Sequence, residues 1–255
     1  MYFAFFQRKS LVRVAVYIAV FIAACTALFS TKAYAVFYGG NLRKLPIYSV
    51  QTDEKKIAIS FDCAWGVDYT DELLKIMERN GVRCTFFVVQ FWAEKYPEYL
   101  KKIAAAGHEI GTHSATHPYM SRLDETAITK ELETSCAAIE RATGVKPELF
   151  RPPYGDYDDL LIDVAKSKGL YTIQWSVDSL DWKNISASEI RSRVVGKVKN
   201  GSIVLFHNQG LHTSEALENI ITDLKGKGYG FVPIGELIYR ENYTIGADGT
   251  QMPSV

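Results

Sequence analysis

The sequence predicts an α/β fold: a parallel sheet covered by helices, either left open or closed into a barrel. Three observations point there. Seven short β-branched or aromatic runs are spread over residues 57–232, amphipathic stretches of helical period lie between most of them, and many of those stretches stop at a glycine. The runs are Ile57–Phe61, Thr85–Val89, Glu109–Gly111, Glu148–Phe150, Tyr171–Trp175, Ser202–Phe206 and Gly230–Val232. The helical stretches are Asp71–Arg79, Tyr99–Ala106, Asp124–Arg141, Leu160–Lys168, Ala187–Lys199 and Ser214–Lys227, closed by Gly81, Gly107, Gly144, Gly169, Gly201 and Gly228. Ser121, three residues before Asp124, offers a cap for the longest of them. Residues 36–55 read as a linker and lead-in, the body as residues 56–240, and residues 241–255 as a loose polar tail.

The amino end reads differently. Arg8, Lys9 and Arg13 precede an apolar run from Val14 to Phe29, and Ala33-Tyr34-Ala35 has the small-x-small form of a cleavage site. Residues 1–35 are therefore expected to be a signal peptide or signal anchor, with the body outside the membrane. If uncleaved, this segment would be the membrane contact. The segment also carries four of the 29 cations and no acid, leaving 25 against 29 acids in the rest, or −4. A mildly acidic body has no footprint for nucleic acid. Of four cysteines, Cys25 lies in the apolar run; the remaining three are an odd number at irregular spacing and form no disulfide framework. Cys136 shares helical spacing with Ile128, Leu132 and Ile139 and is expected in the core.

In such folds the chemistry collects at the carboxyl ends of the strands. Five loops there carry reactive groups: Asp62 and Cys63 in SFDCAWG, His113 and His117 in THSATH, Arg151 in RPPYG, Asp178 and Asp181 in DSLDW, and His207 in LFHN. One polar residue at a strand end is ordinarily a cap. A carboxylate, a thiol, three imidazoles, an arginine and another carboxylate in five strand-end loops, after the first, third, fourth, fifth and sixth runs, point to a catalytic site.

Taken in order, these segments resemble the five motifs of the polysaccharide deacetylases, the NodB-homology enzymes of carbohydrate esterase family 4, over about Lys56 to Tyr239. The exported layout and FDCAWG look most like the sporulation-associated PdaB branch. The resemblance implies a distorted (β/α)7 barrel that removes N-acetyl groups from amino sugars of a cell-wall glycan, with peptidoglycan expected. It implies Asp62 as base, Arg151 holding that base, His207 as acid and Asp181 tuning it. His113 and His117 match the metal histidines, Tyr154 the residue whose backbone N–H faces the oxyanion, and Trp182 and Leu205 the walls of the acetate pocket. Trp65, beside the site, is the expected sugar platform.

The family's first motif normally reads TFDDG, and Cys63 stands where its metal-binding aspartate would be. Three readings stay open. A Cys63 thiolate completes a three-ligand divalent site, favouring zinc; the thiol is neutral and packed, leaving two histidines; or the metal is lost and only a glycan-binding groove remains. Trp92 and Trp175 are further candidates for sugar stacking, Trp175 being more suited to the core, and His108 and His212 fit no motif.

Overall fold

The computed structural model describes residues 12–22, 26 and 43–254. The chain divides into two units, Met1–Arg43 and Lys44–Val255. In the first, residues 12–22 are helical with exposed side chains. Among the described residues no helix is long and apolar enough to cross a membrane. The triplet Ala33-Tyr34-Ala35 and Cys25 lie outside the described residues.

The second unit runs β1 (Ser49–Val50), β2 (Lys56–Cys63), α1 (Thr70–Asn80), β3 (Thr85–Val88), α2 (Gln90–Lys95), α3 (Pro97–Ala105), β4 (Glu109–Thr112), α4 (Glu125–Thr143), β5 (Leu149–Phe150), α5 (Asp159–Ser167), β6 (Tyr171–Thr172), β7 (Val177–Asp178), α6 (Ala187–Lys197), β8 (Ile203–His207), α7 (Thr213–Gly226), β9 (Gly230–Phe231), α8 (Ile234–Leu237), β10 (Tyr243–Ile245) and β11 (Thr250–Pro253). The main sheet has the order β6-β5-β4-β3-β2-β8-β7, with β9 against the start of β2 and every pairing parallel. It curls into a half-barrel, as the (β/α)7 expectation requires.

Strand β2 lies between β3 and β8 and shows why the sheet is covered on both faces. Ile57, Ile59, Phe61 and Cys63 point into the helix layer, packing with Leu73 and Ile76 of α1, Trp92 of α2 and Leu217 and Ile220 of α7. The alternate residue Ala58 joins Ile47, Phe87, Ile173 and Ile203 inside the curl. Successive side chains of a strand point to opposite faces, so one residue's step exchanges the two environments.

Three local readings need correction. The cap of α4 is Asp124, which accepts from the Ala127 N–H at 2.8 Å; Ser121 instead donates to Asp156. The expected strand Tyr171–Trp175 stops at Thr172, because the backbone beyond it changes partners. Gln174 N–H bonds to Ile47 and Ser176 N–H to Ile203, and a second strand starts at Val177. The tail is not loose. β10 and β11 form a small sheet with β1 of the lead-in, and the buried Gln251 side chain satisfies both the N–H and the carbonyl of Tyr239 at 2.8 Å each.

Candidate active site

Parallel register brings the reactive loops to one rim. Asp62, near the end of β2, pairs with His207 at the end of β8. His113 directly follows β4 and Arg151 directly follows β5, whose register sets Thr112 beside Phe150.

Asp62 is buried and takes the Arg151 Nη1 hydrogen bond on Oδ1 at 2.8 Å. Its Oδ2 lies 3.6 Å from His113 Nε2. Burial by itself would raise the Asp62 pKa, but the Arg151 guanidinium first, with smaller electrostatic effects of His113 and His207, outweighs it and holds the carboxyl below its usual range. Arg151 is fully buried; it also donates to the Gln174 carbonyl at 3.2 Å and lies 4.1 Å over the Phe87 ring.

His207 forms the second pair. Its Nδ1 is 2.8 Å from Asp181 Oδ1, while Oδ2 accepts from the His207 backbone N–H at 2.8 Å and from Thr213 Oγ1 at 2.7 Å. Asp181, fully buried, can only accept in its ionised form, so His207 Nδ1 carries the proton and Nε2 is the free end. Burial would lower the His207 pKa; the hydrogen bond and charge of Asp181 outweigh it and raise the pKa above the ordinary imidazole value. Base and acid are thus pushed apart, each by its own partner.

The two histidines of the third loop stand with ring centres 5.0 Å apart. His113 Nδ1 is 2.7 Å from the Arg151 carbonyl, which only accepts, so the lone pair is on Nε2 and faces the Asp62 carboxylate. Burial lowers the His113 pKa to about 4, keeping it neutral, and burial lowers His117 as well. His117 Nδ1 is buried without a partner. Two neutral imidazoles, one oriented through its second nitrogen and one with an unsatisfied nitrogen, fit a divalent metal in donor chemistry.

The three-ligand set does not form. Cys63 is one residue beyond Asp62 on the same strand, so its side chain turns to the opposite face, into the helix-side core. Burial, with the charge of Asp62 adding to it, pushes the thiol well above its ordinary pKa, so it is a neutral thiol and no thiolate. Among the described residues no group of three His, Cys, Asp or Glu side chains is arranged to hold a metal ion. With the thiolate gone, the preference for zinc weakens, since imidazoles suit zinc, copper, iron and nickel alike. Cys63→Ala is expected to leave zinc affinity unchanged while costing about 1 kcal/mol of stability. A tenfold loss of zinc affinity on titration would restore the thiol as a ligand.

The remaining predicted residues are placed as follows. Tyr154, at φ 59°, has its ring edge-on to His117 at 4.6 Å and stacked on Tyr119 at 4.4 Å. Leu205 is buried two residues before His207 and shares its strand face. Trp65 and Trp182 are exposed, Trp65 at 6.2 Å from the His117 ring. Two expectations change. Trp92 is fully buried and donates its indole N–H to the Gly66 carbonyl at 2.7 Å, so it anchors the Trp65 loop and offers no face to a sugar. His108, which fits no motif and would ordinarily be a surface or capping residue, is buried, and its Nδ1 accepts from the Cys84 N–H. Sequence reasoning missed Thr213 and also the contacts of Asn208, whose side chain donates to Gly66 O and Thr70 Oγ1. Neither contact has a local signal, because the partners lie far apart in the chain.

The family model described as polysaccharide deacetylase matches residues 49–173. The uncharacterized protein YlxY of Bacillus subtilis is 38% identical over 198 residues, covering 78% of this chain; the chain spans 62% of its length. A peptidoglycan-N-acetylglucosamine deacetylase of Bacillus cereus is 34% identical, with 75% of this chain and 92% of that protein covered. Among solved structures, a CE4 family pseudoenzyme from Bacillus anthracis superposes with a TM-score of 0.73 at 33% identity, covering 82% of this chain and 73% of that one. A mutant of it with restored enzymatic activity is 37% identical, with 75% of this chain and 70% of that one covered, at the same TM-score.

Proposed function

The chain belongs to the polysaccharide deacetylase family, and on that premise we propose that it is an exported hydrolase that removes N-acetyl groups from the amino sugars of peptidoglycan at the outer face of the cell, in the setting of sporulation. The observation that supports this most is the complete base–acid pair, Asp62 held by Arg151 and His207 held by Asp181, side by side at one rim. A carboxylate and an imidazole whose pKa values are driven in opposite directions are what general base and general acid catalysis at one pH requires.

His113 and His117 would hold the divalent metal, which when bound polarises the amide carbonyl and acidifies a water. Asp62, ionised across the neutral range, takes the proton from the attacking water. His207, protonated at Nε2, delivers a proton to the departing amine nitrogen. Arg151 keeps the base in place and charged, and Leu205 and Trp182 border the space for the acetyl methyl. Trp65, exposed beside His117, supplies a face for a neighbouring sugar ring. The products are a free amino sugar and acetate.

A second reading has specific support: the Cys63 side chain is turned away from the histidines, and one similar structure is described as a pseudoenzyme. The protein would then bind N-acetylated wall glycan without cleaving it. Acetate release from an N-acetylglucosamine oligomer and from peptidoglycan separates the two, using chelator-stripped protein with zinc, cobalt or no metal added. Metal-dependent release is the expected result. No release under any metal, with glycan binding retained, would leave the binding reading.

A further inference from the structure

The loop from His113 to His117 departs from every regular conformation. Ser114 has φ 72° and His117 φ 60°, left-handed values that cost a non-glycine residue energy and persist only where its surroundings enforce them. Between them the N–H groups of Ala115 and Thr116 are turned toward one carboxylate oxygen, Oε2 of Glu131, at 2.8 Å each. The other oxygen of the same carboxylate accepts from Thr116 Oγ1 at 2.7 Å. Consecutive N–H groups converging in this way form a small anion-binding nest, and here the chain fills the nest with its own side chain. Ser114 Oγ closes the turn by accepting from the His117 N–H at 3.0 Å.

Glu131 is well placed to act at a fixed distance. It lies on α4, and four residues later on the same helical face Ser135 shares a 2.6 Å hydrogen bond with Thr112, the last residue of β4. Ile128, Leu132 and Ile139 bury the core side of the helix. One face of one helix therefore grips the strand just before His113 and the loop just before His117.

From this geometry we propose that Glu131 is the positioning residue of the histidine pair: its carboxylate holds the 113–117 loop in the strained conformation that sets His117 beside His113. It touches neither reacting atoms nor metal, and its effect passes through the backbone. The link to metal binding rests on the proposed function; the hold on the loop does not.

The full chain carrying Glu131→Ala or Glu131→Gln tests this, with Glu133→Ala as a control for the helix, since Glu133 is an exposed partner of Lys168. Amide hydrogen exchange over residues 113–118 reads the loop, and zinc titration reads the pair. In E131A exchange at Ala115 and Thr116 is expected to rise, and zinc affinity to fall on the order of tenfold. E131Q should stay close to wild type, because a glutamine carbonyl oxygen still accepts both N–H groups, and E133A should change neither readout. Unchanged exchange in E131A would overturn the proposal, as would a lowered melting temperature with zinc affinity intact. If the wild-type chain itself took up no zinc, the metal reading would fall, and exchange alone would decide whether Glu131 holds the loop.

Discussion

Arg151→Ala is expected to destabilise the protein by about 3–5 kcal/mol, the usual cost of removing one partner of a buried ion pair. The guanidinium is fully buried, bonded to Asp62 and to the Gln174 carbonyl, and packed on Phe87. Truncation leaves the Asp62 carboxylate buried with its nearest countercharge gone, and it opens a cavity beside Phe87. The pH dependence should change with it. In the wild type the Asp62 pKa is depressed in spite of burial, through Arg151 first and then His113 and His207. That contribution to stability is present above the unfolded carboxylate value of about 3.9 and is lost as pH falls through the lower folded value. Without Arg151 burial dominates, the folded pKa rises, and the acid-side window shrinks or reverses. Urea unfolding at neutral and acid pH measures both effects. A variant within about 1 kcal/mol of wild type would mean that Arg151 does not hold a charged Asp62.

His207→Asn is expected to lower the turnover of acetate release by roughly 10²- to 10⁴-fold, the range for losing a positioned general acid, with a small change in stability. Asparagine can still donate to Asp181, whose other oxygen keeps the backbone N–H and Thr213, so the variant removes the proton donor and leaves the carboxylate satisfied. The wild-type profile should be bell-shaped. Its acid limb follows Asp62, below the usual carboxylate range; its alkaline limb follows His207, above the ordinary imidazole value because Asp181 outweighs burial. Asp181→Asn should move the alkaline limb to lower pH. The same linkage acts on folding: the stability that His207 contributes is fully present below about pH 6.5 and is lost as pH rises through its raised folded pKa. An alkaline limb unmoved in Asp181→Asn would remove His207 from the role of acid.

The sequence made the alternation of strands and helices plain, and with it the position of each reactive residue just past a strand. A parallel sheet aligns strand ends by its hydrogen-bond register, so Asp62, His113, Arg151 and His207 reach one rim without any contact being visible in advance. Cys63 was not legible in that way: it stands where the two-aspartate motif has a metal ligand, and only the folded chain shows its side chain in the helix-side core. Other features were not legible at all. Glu131 reads as one exposed-looking acid in a charged helix, Thr213 as a helix-start residue, and the tail as polar coil. Each takes its role from a partner far along the chain, Asp181 for Thr213 and the β1 lead-in for the tail. Periodicity and strand-end placement are short-range properties, set by a backbone that repeats every two or 3.6 residues, and the sequence alone determined them. Which carboxylate meets which donor is decided by curvature, register and packing, and only the folded chain could decide that.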